Sequence, residues 1–157
     1  MIGDMDVRLA EGAELGAARR RLAEVWGNPV VMRGTDYDLF GCDCLIAGDF
    51  EGLAAFSRAE RPICELVALN AFRRGEGIGG ALMAALPRHL GPGFTQVRLG
   101  TTNDNLEALR FYQRRGYRLA ALRPGAVDAA RARKPSIPLS GEHGLPIRDE
   151  IDLVLDL

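Results

Sequence analysis

Lysine is almost missing from this chain. Nineteen of the twenty basic residues are arginine, and Lys134 is the single lysine. With no lysine before that position, a phosphate loop of the GxxxxGK-Ser/Thr kind is nearly excluded. Cysteine is scarce as well. Cys42, Cys44 and Cys64 are an odd number without CxxC spacing, so no disulfide framework is expected and the chain reads as cytoplasmic. Two histidines, His89 and His143, lie far apart, and no metal site is expected from them. No apolar run approaches the roughly 18 residues that cross a bilayer. The stretch Met1–Ala10 has no apolar core either, so no signal peptide and no membrane partner are expected. Charge of one sign is also absent. Twenty basic residues against twenty-one acidic ones give a net charge of −1, which argues against a nucleic-acid partner.

What the chain does have is a core-forming composition and glycine. Its 157 residues are 47% hydrophobic, consistent with a single domain over 1–157. Folding at this size buries roughly 68–70% of the unfolded surface, enough for a core without staples. There are nineteen glycines, and Gly75, Gly77, Gly79 and Gly80 crowd into six positions.

The pattern along the chain is mixed α+β. Val7–Ala10 is a short strand. Leu15, Ala18, Leu22 and Val25 recur on one face of a helix over 13–26, and Gly27, Asn28 and Pro29 stop it. Residues 30–41 leave a short helix and a loop both open. A hairpin follows, Cys42–Ala47 and Gly52–Ser57 around Gly48 and Asp49. Ile63–Leu69 reads as a buried strand. A helix spans Gly77–Leu90, then a strand Gln96–Gly100, a helix Asn105–Arg115 closed by Gly116, and a strand Tyr117–Leu122. Residues 123–150 hold four of the eight prolines and read as a structured excursion without a regular element. In Ile151–Leu157 every odd position is apolar, the period of a half-buried strand.

The glycine cluster sits between a strand and a helix. Glycine lets the backbone turn sharply and approach a ligand. The first helical turn leaves N–H groups unpaired, and the helix dipole favours an anion there. Together these make a pyrophosphate cradle. A dinucleotide fold wants GxGxxG after its first strand and an acid about 20 residues on. Here the order is GxGxGG after roughly the fourth strand, with no such acid. Coenzyme A remains, beside the plainer reading of a turn that only packs helix on strand.

A second constellation follows the next strand. Asn105 is a good helix N-cap, and Ala108, Phe111 and Tyr112 lie near one face with it. By itself this is also how an amphipathic helix with a core Phe and Tyr would look. In order, Arg74-x-x-Gly77-x-Gly79 and then Asn105-x-x-Ala108-x-x-Phe111-Tyr112-x-x-x-Gly116-Tyr117 resemble the GNAT superfamily of acyl-CoA dependent N-acetyltransferases. The likeness is best over residues 45–122. The run 134–150 resembles the tail of a bacterial subgroup of unknown substrate. One departure is Ala71, where many relatives carry proline.

The resemblance implies a splayed, mixed, mostly antiparallel central sheet flanked by helices. It implies acetyl-CoA as co-substrate, wedged between the strand ending at Leu69 and the strand ending near Gly100. Amides from Arg74 through Gly75, Gly77, Ile78, Gly79 and Gly80 would hold its pyrophosphate. Backbone around Val67 and Leu69 would pair with its pantetheine arm, with Asn105 and Ala108 beside it. The implied reaction is direct attack by a primary amine in a ternary complex, and the alternative is a non-catalytic acyl-CoA binding or sensing module. Tyr112 matches the family's general acid. Glu65 is the candidate base, two and four residues before Val67 and Leu69, so a regular strand puts all three on one face. Water relays to Asp36 or Asp38 are the other route. Cys64 reads as a small buried hydrophobe, with no histidine close in sequence.

The acceptor, a small-molecule or peptide amine, would meet residues 28–41 and 123–150. The first segment carries Arg33, Asp36, Tyr37 and Asp38, whose paired acids suit an amine. The second carries Arg131, Arg133, Lys134, His143, Arg148, Asp149 and Glu150, and reads as a pocket wall or as the contact of a homodimer.

Overall fold

A computed structural model describes residues 5–157. Residues 1–4 of the stretch Met1–Ala10, read above for a signal peptide, lie outside them. In chain order the elements are β1 (Val7–Leu9), α1 (Gly12–Trp26), β2 (Val30–Met32), β3 (Thr35–Tyr37), β4 (Asp43–Ala47), β5 (Gly52–Ser57) and β6 (Ile63–Ala71). Then come α2 (Ile78–Ala85), β7 (Gln96–Thr102), α3 (Leu106–Gln113), β8 (Arg118–Arg123), α4 (Ala126–Arg133) and β9 (Glu150–Asp156). Short 3-10 turns cover Leu39–Gly41, Leu86–His89 and Glu142–Gly144. Seven strands form a mostly antiparallel central sheet, and β2 and β3 form a separate two-stranded one. No helix among the described residues is long and apolar enough to cross a membrane. The chain divides into two compact units.

The first unit holds residues up to Val30, Tyr37–Val97 and Leu157. Its strands run in the order β1-β4-β5-β6, each pair antiparallel. One sheet face packs on α1, where Ala18 and Leu22 meet Cys44, Ile46, Leu53, Ala55 and Ala68. The expected α1 stripe ends at Leu22, because Val25 in the last turn is 50% exposed. The other face packs on α2. A Cβ on Gly52 would lie 2.3 Å from Ile78 Cγ2 and 3.0 Å from Leu82 Cδ1, so the absence of a side chain there sets how closely α2 lies on β5. Gly52→Ala is expected to cost about 1–3 kcal/mol by overpacking, read as a lowered urea midpoint at unchanged slope.

The predicted helix 77–90 is shorter than expected. Regular helix stops at Ala85 and a 3-10 turn completes it. Pro87 is the reason, since it has no N–H to bond back to residue 83.

The second unit holds Val31–Asp36 and Arg98–Asp156. Here the segment left open between helix and loop is a hairpin. Arg33 (φ 54) and Gly34 (φ 71) are both left-handed, the backbone of a two-residue hairpin turn whose twist suits the strands. The excursion 123–150 contains a full helix, α4. Its composition, Ala-Val-Asp-Ala-Ala-Arg-Ala-Arg, favours helix. Gly125 opens it at φ 73, and the prolines at 124 and 135 lie outside it. Strand β9 departs from the expected alternation, because Glu150 and Asp152 are 2% and 6% exposed, while Ile151 and Leu155 are only half-buried. Two arginines described below make that burial possible.

Candidate active site

Strand β6 brings the first candidate residues, and a bulge re-aims them. Leu66 pairs with Phe56, but the next pair is Ala68 with Ala55, so Val67 is an extra residue. Such a residue drops out of the ladder and bends the strand. It also shifts the alternation. Glu65 pairs with Ser57 and Ala68 with Ala55, on the α1 face, while Leu69 pairs with Ala54 on the opposite face. Val67 packs against the α1-side cluster. The expectation that Glu65 shares a face with both Val67 and Leu69 is therefore corrected: it shares one with Val67 only. Glu65 is almost fully buried, at 1% exposure. Its face carries Val30 and Leu39, from the segment expected to meet the acceptor.

The glycine loop follows, and residues 72–77 are all exposed. Gly75 and Gly77 adopt φ of 77 and 68, which side-chain-bearing residues rarely take. A Cβ at Gly75 would meet nothing within 4 Å, so the turn is open. The first helical bond of α2 runs from Ala81 N to Gly77 O, at 3.0 Å. The amides of Gly77, Ile78, Gly79 and Gly80 precede it, and no side chain caps them. The Ile78 side chain is buried in the core, so this residue offers a ligand its main chain only. Arg73 is held by Glu51 at 2.7 Å and Glu76 at 3.6 Å, whereas Arg74 is exposed beside it.

In the second unit, Asn105 caps α3 as expected, its Oδ1 accepting from Ala108 N at 3.1 Å. This leaves the amide Nδ2 to donate elsewhere. Two turns on, Tyr112 is buried. Phe111 and Tyr117 meet its ring edge-on at 5.0 and 5.6 Å, which fixes the ring's orientation. Burial pushes the Tyr112 hydroxyl far above the ordinary phenol value, with Arg115 opposing weakly. It stays protonated throughout the neutral range.

Other candidates are occupied by structural tasks. Asp38 caps the 3-10 turn by accepting from Phe40 N (3.0 Å), and it also takes a hydrogen bond from Asn28 Nδ2 (2.9 Å). These contacts, Asn28 first, hold its carboxyl below the usual range. Asp36 pairs with Arg133 of α4 at 2.6 Å. The two acids are not a free pair awaiting an amine. Burial pushes the Cys64 thiol up to about 12, with Glu65 adding to it, so no nucleophilic thiolate forms there.

Sequence reading missed the residues that lace the second unit together. Asn103 Oδ1 accepts from Arg148 N and Asp149 N, both at 3.0 Å. Buried Asp104 accepts from Thr102 Oγ1 (2.6 Å) and Glu142 N (3.1 Å). These contacts pin the tail 141–149 to the entry of α3. Arg33 and Arg123 enclose Glu150 and Asp152. The signal for that cluster was present: two acids alternating with apolar residues in a strand need cations if both faces are buried.

A family model described as "Acetyltransferase (GNAT) domain" matches residues 40–119. The uncharacterized protein YxbD of Bacillus subtilis is 38% identical over 144 residues, covering 84% of this chain and 86% of that protein. Among solved structures, the IAA acetyltransferase from Bacillus cereus aligns over 98% of this chain and 100% of its own, with a TM-score of 0.74 at 19% identity. A GNAT family acetyltransferase from Elizabethkingia anophelis, solved with acetyl-CoA bound, aligns over 98% and 99% with a TM-score of 0.67 at 16% identity. The motif order, the fold and these matches agree, and this chain belongs to the GNAT acetyltransferase family.

Proposed function

We propose that the protein transfers an acetyl group from acetyl-CoA to a primary amine, on a small molecule or a peptide, by direct attack in a ternary complex. The observation that carries this reading is the open, glycine-lined entry to α2. Four consecutive main-chain amides there have neither a helical acceptor nor a cap, which suits the pyrophosphate of coenzyme A. The acetyl-CoA bound in the Elizabethkingia relative supports the same co-substrate. The β6 bulge frees main-chain groups around Val67, beside Leu69, to bond the pantetheine arm as an added strand would. Asn105 and Ala108 lie at the start of α3, whose small side chain at 108 allows close approach.

In the reaction, the amine lone pair attacks the thioester carbon. The carbon–sulfur bond breaks, and its electron pair leaves on sulfur. Tyr112 donates its proton to that thiolate. Glu65 accepts the proton the amine sheds, directly or through water. A main-chain N–H near Leu69 stabilises the carbonyl oxygen as charge develops.

Titration calorimetry with acetyl-CoA, ATP and NAD tests the binding half. Heat with acetyl-CoA alone is expected, and no heat with it would sink the reading. A β-branched side chain at a φ of 68 is strained, so Gly77→Val is expected to weaken acetyl-CoA binding about tenfold or more. Gly12→Ala, at a φ of 55 and with nothing within 4 Å of its Cβ, is the control and should leave binding unchanged. A thiol-release assay across polyamines, amino acids, aminoglycosides and peptides then finds the acceptor.

A further inference from the structure

We propose that Glu107, Glu142 and His143 form a zinc-binding clasp that ties the segment 141–149 to the first turn of α3. All three side chains are exposed and belong to the second unit. His143 and His89 lie too far apart in sequence to suggest a site together, and the fold supplies His143 with two carboxylates instead.

One ligand atom from each residue, an imidazole nitrogen and two carboxylate oxygens, lies within 4.8 Å of the others. His143 Nε2 is 2.7 Å from Glu107 Oε1. Tetrahedral ligands of one zinc ion stand roughly 3.4 Å apart, so small side-chain shifts close this set around an ion. Zinc accepts both donor types, and water takes the fourth position because the residues face solvent. Calcium and magnesium take oxygen ligands, so the imidazole nitrogen favours zinc over them.

The lack of an arginine is what points to a cation. Other acids of this arginine-rich chain each hold one: Asp43 with Arg58, Glu51 with Arg73, Asp128 with Arg131 and Asp36 with Arg133. Glu107 and Glu142 face each other, and among the described residues the one basic group on them is His143. Glu107 pushes the Glu142 carboxyl above the usual range, as two acids held together do. A divalent cation between them removes that repulsion.

The frame is built without these side chains. Ser140 and Pro146 form an antiparallel bridge, Gly141 N donates to Leu145 O at 2.8 Å, and Leu145 N donates to Glu142 O at 3.1 Å. Buried Asp104 accepts from Glu142 N at 3.1 Å. Gly141 passes so close to Asp104 that a Cβ there would meet its carboxylate. On the other side, Asn105 caps α3 two residues before Glu107. Both backbones are therefore set before an ion arrives, which leaves little ordering for it to impose.

Calorimetry with zinc chloride on the untagged full chain, in a buffer that does not chelate, tests the site. One zinc per chain is expected to bind. Glu142→Gln and His143→Ala should each weaken it about tenfold or more. Both side chains are exposed, so the metal-free variants should unfold at nearly the wild-type urea concentration. His89→Asn should bind zinc as the wild type does. Hydrogen exchange of amides 141–145 should slow about tenfold with zinc in the wild type and stay unchanged in Glu142→Gln. No saturable heat, zinc binding that survives both substitutions, or binding lost with His89 overturns the proposal. Equal binding of calcium also overturns it, since the imidazole would then have no role. Zinc that binds without slowing those amides overturns the clasp.

Discussion

Tyr112→Phe is expected to lower kcat by about 10²–10⁴, the range a positioned general acid supplies, while acetyl-CoA binding changes less than twofold. The substitution removes one oxygen and keeps the ring. The edge contacts to Phe111 and Tyr117 that orient it survive, so a fall in rate reports the hydroxyl rather than the packing. Thiol release measures the rate, and calorimetry on the same variant measures binding. Full turnover in the Phe variant would remove Tyr112 as the acid. The pH profile gives an independent reading. Burial raises the Tyr112 pKa from its usual value, so its acid form is present at all pH values below that of a free phenol, about 10. Any loss of kcat on the alkaline side below that point must come from another group. On the acidic side kcat/KM should fall, because the base must be deprotonated and the amine neutral before attack.

Much of the local geometry of the candidate site was legible because it is set by near neighbours in the chain. The glycines from Gly75 to Gly80 and the Asn105 cap act within a few residues of themselves. Spacing alone therefore finds the open α2 entry and the capped start of α3. The same holds for the hairpin of β4 and β5 and for Tyr112 two turns into its helix. What escaped was set by partners distant in sequence. The bulge at Val67 exists only against the register of β5, and it reverses which face Leu69 takes relative to Glu65. The Arg33–Gly34 turn lacks the Asn-Gly or Asp-Gly pair that marks a two-residue hairpin, and its flanking runs are short. Asp36 and Asp38 looked like free acids until Arg133 and Asn28 appeared beside them. Helix α4 was masked by the prolines that flank it. The acids of β9 broke its alternation because Arg33 and Arg123 come from more than a hundred and nearly thirty residues away.

Those acids set the largest expected change in stability. Arg123→Leu is expected to cost about 3–5 kcal/mol, the usual cost of stranding a buried charge by removing its partner. That is a large share of the roughly 5–15 kcal/mol that holds a domain folded. Arg123 makes four hydrogen bonds to two carboxylates, and Arg33 cannot neutralise both once it is gone. The pH dependence separates this from simple loss of packing. Burial alone would raise the Asp152 pKa, but the hydrogen bond from Arg123 and the charge of Arg33 outweigh it and bring it below the ordinary value. Asp152 therefore contributes stability that is fully present above its unfolded value, about 3.9. That contribution is lost as pH falls through the lower folded value. In Arg123→Leu the depression is relieved, so the variant has less to lose on acidification. The gap between wild type and variant in urea denaturation should hold from pH 7 to about pH 4 and narrow as pH falls below that. A lost packing contact would leave the gap constant. Replacing the whole cluster, with Arg33→Met, Arg123→Met, Glu150→Gln and Asp152→Leu together, removes the charges in balance. It is expected to destabilise less than Arg123→Leu alone. The balanced variant is expected to stay folded, because it leaves no buried charge without a partner, and urea denaturation at pH 7 reads the difference from Arg123→Leu.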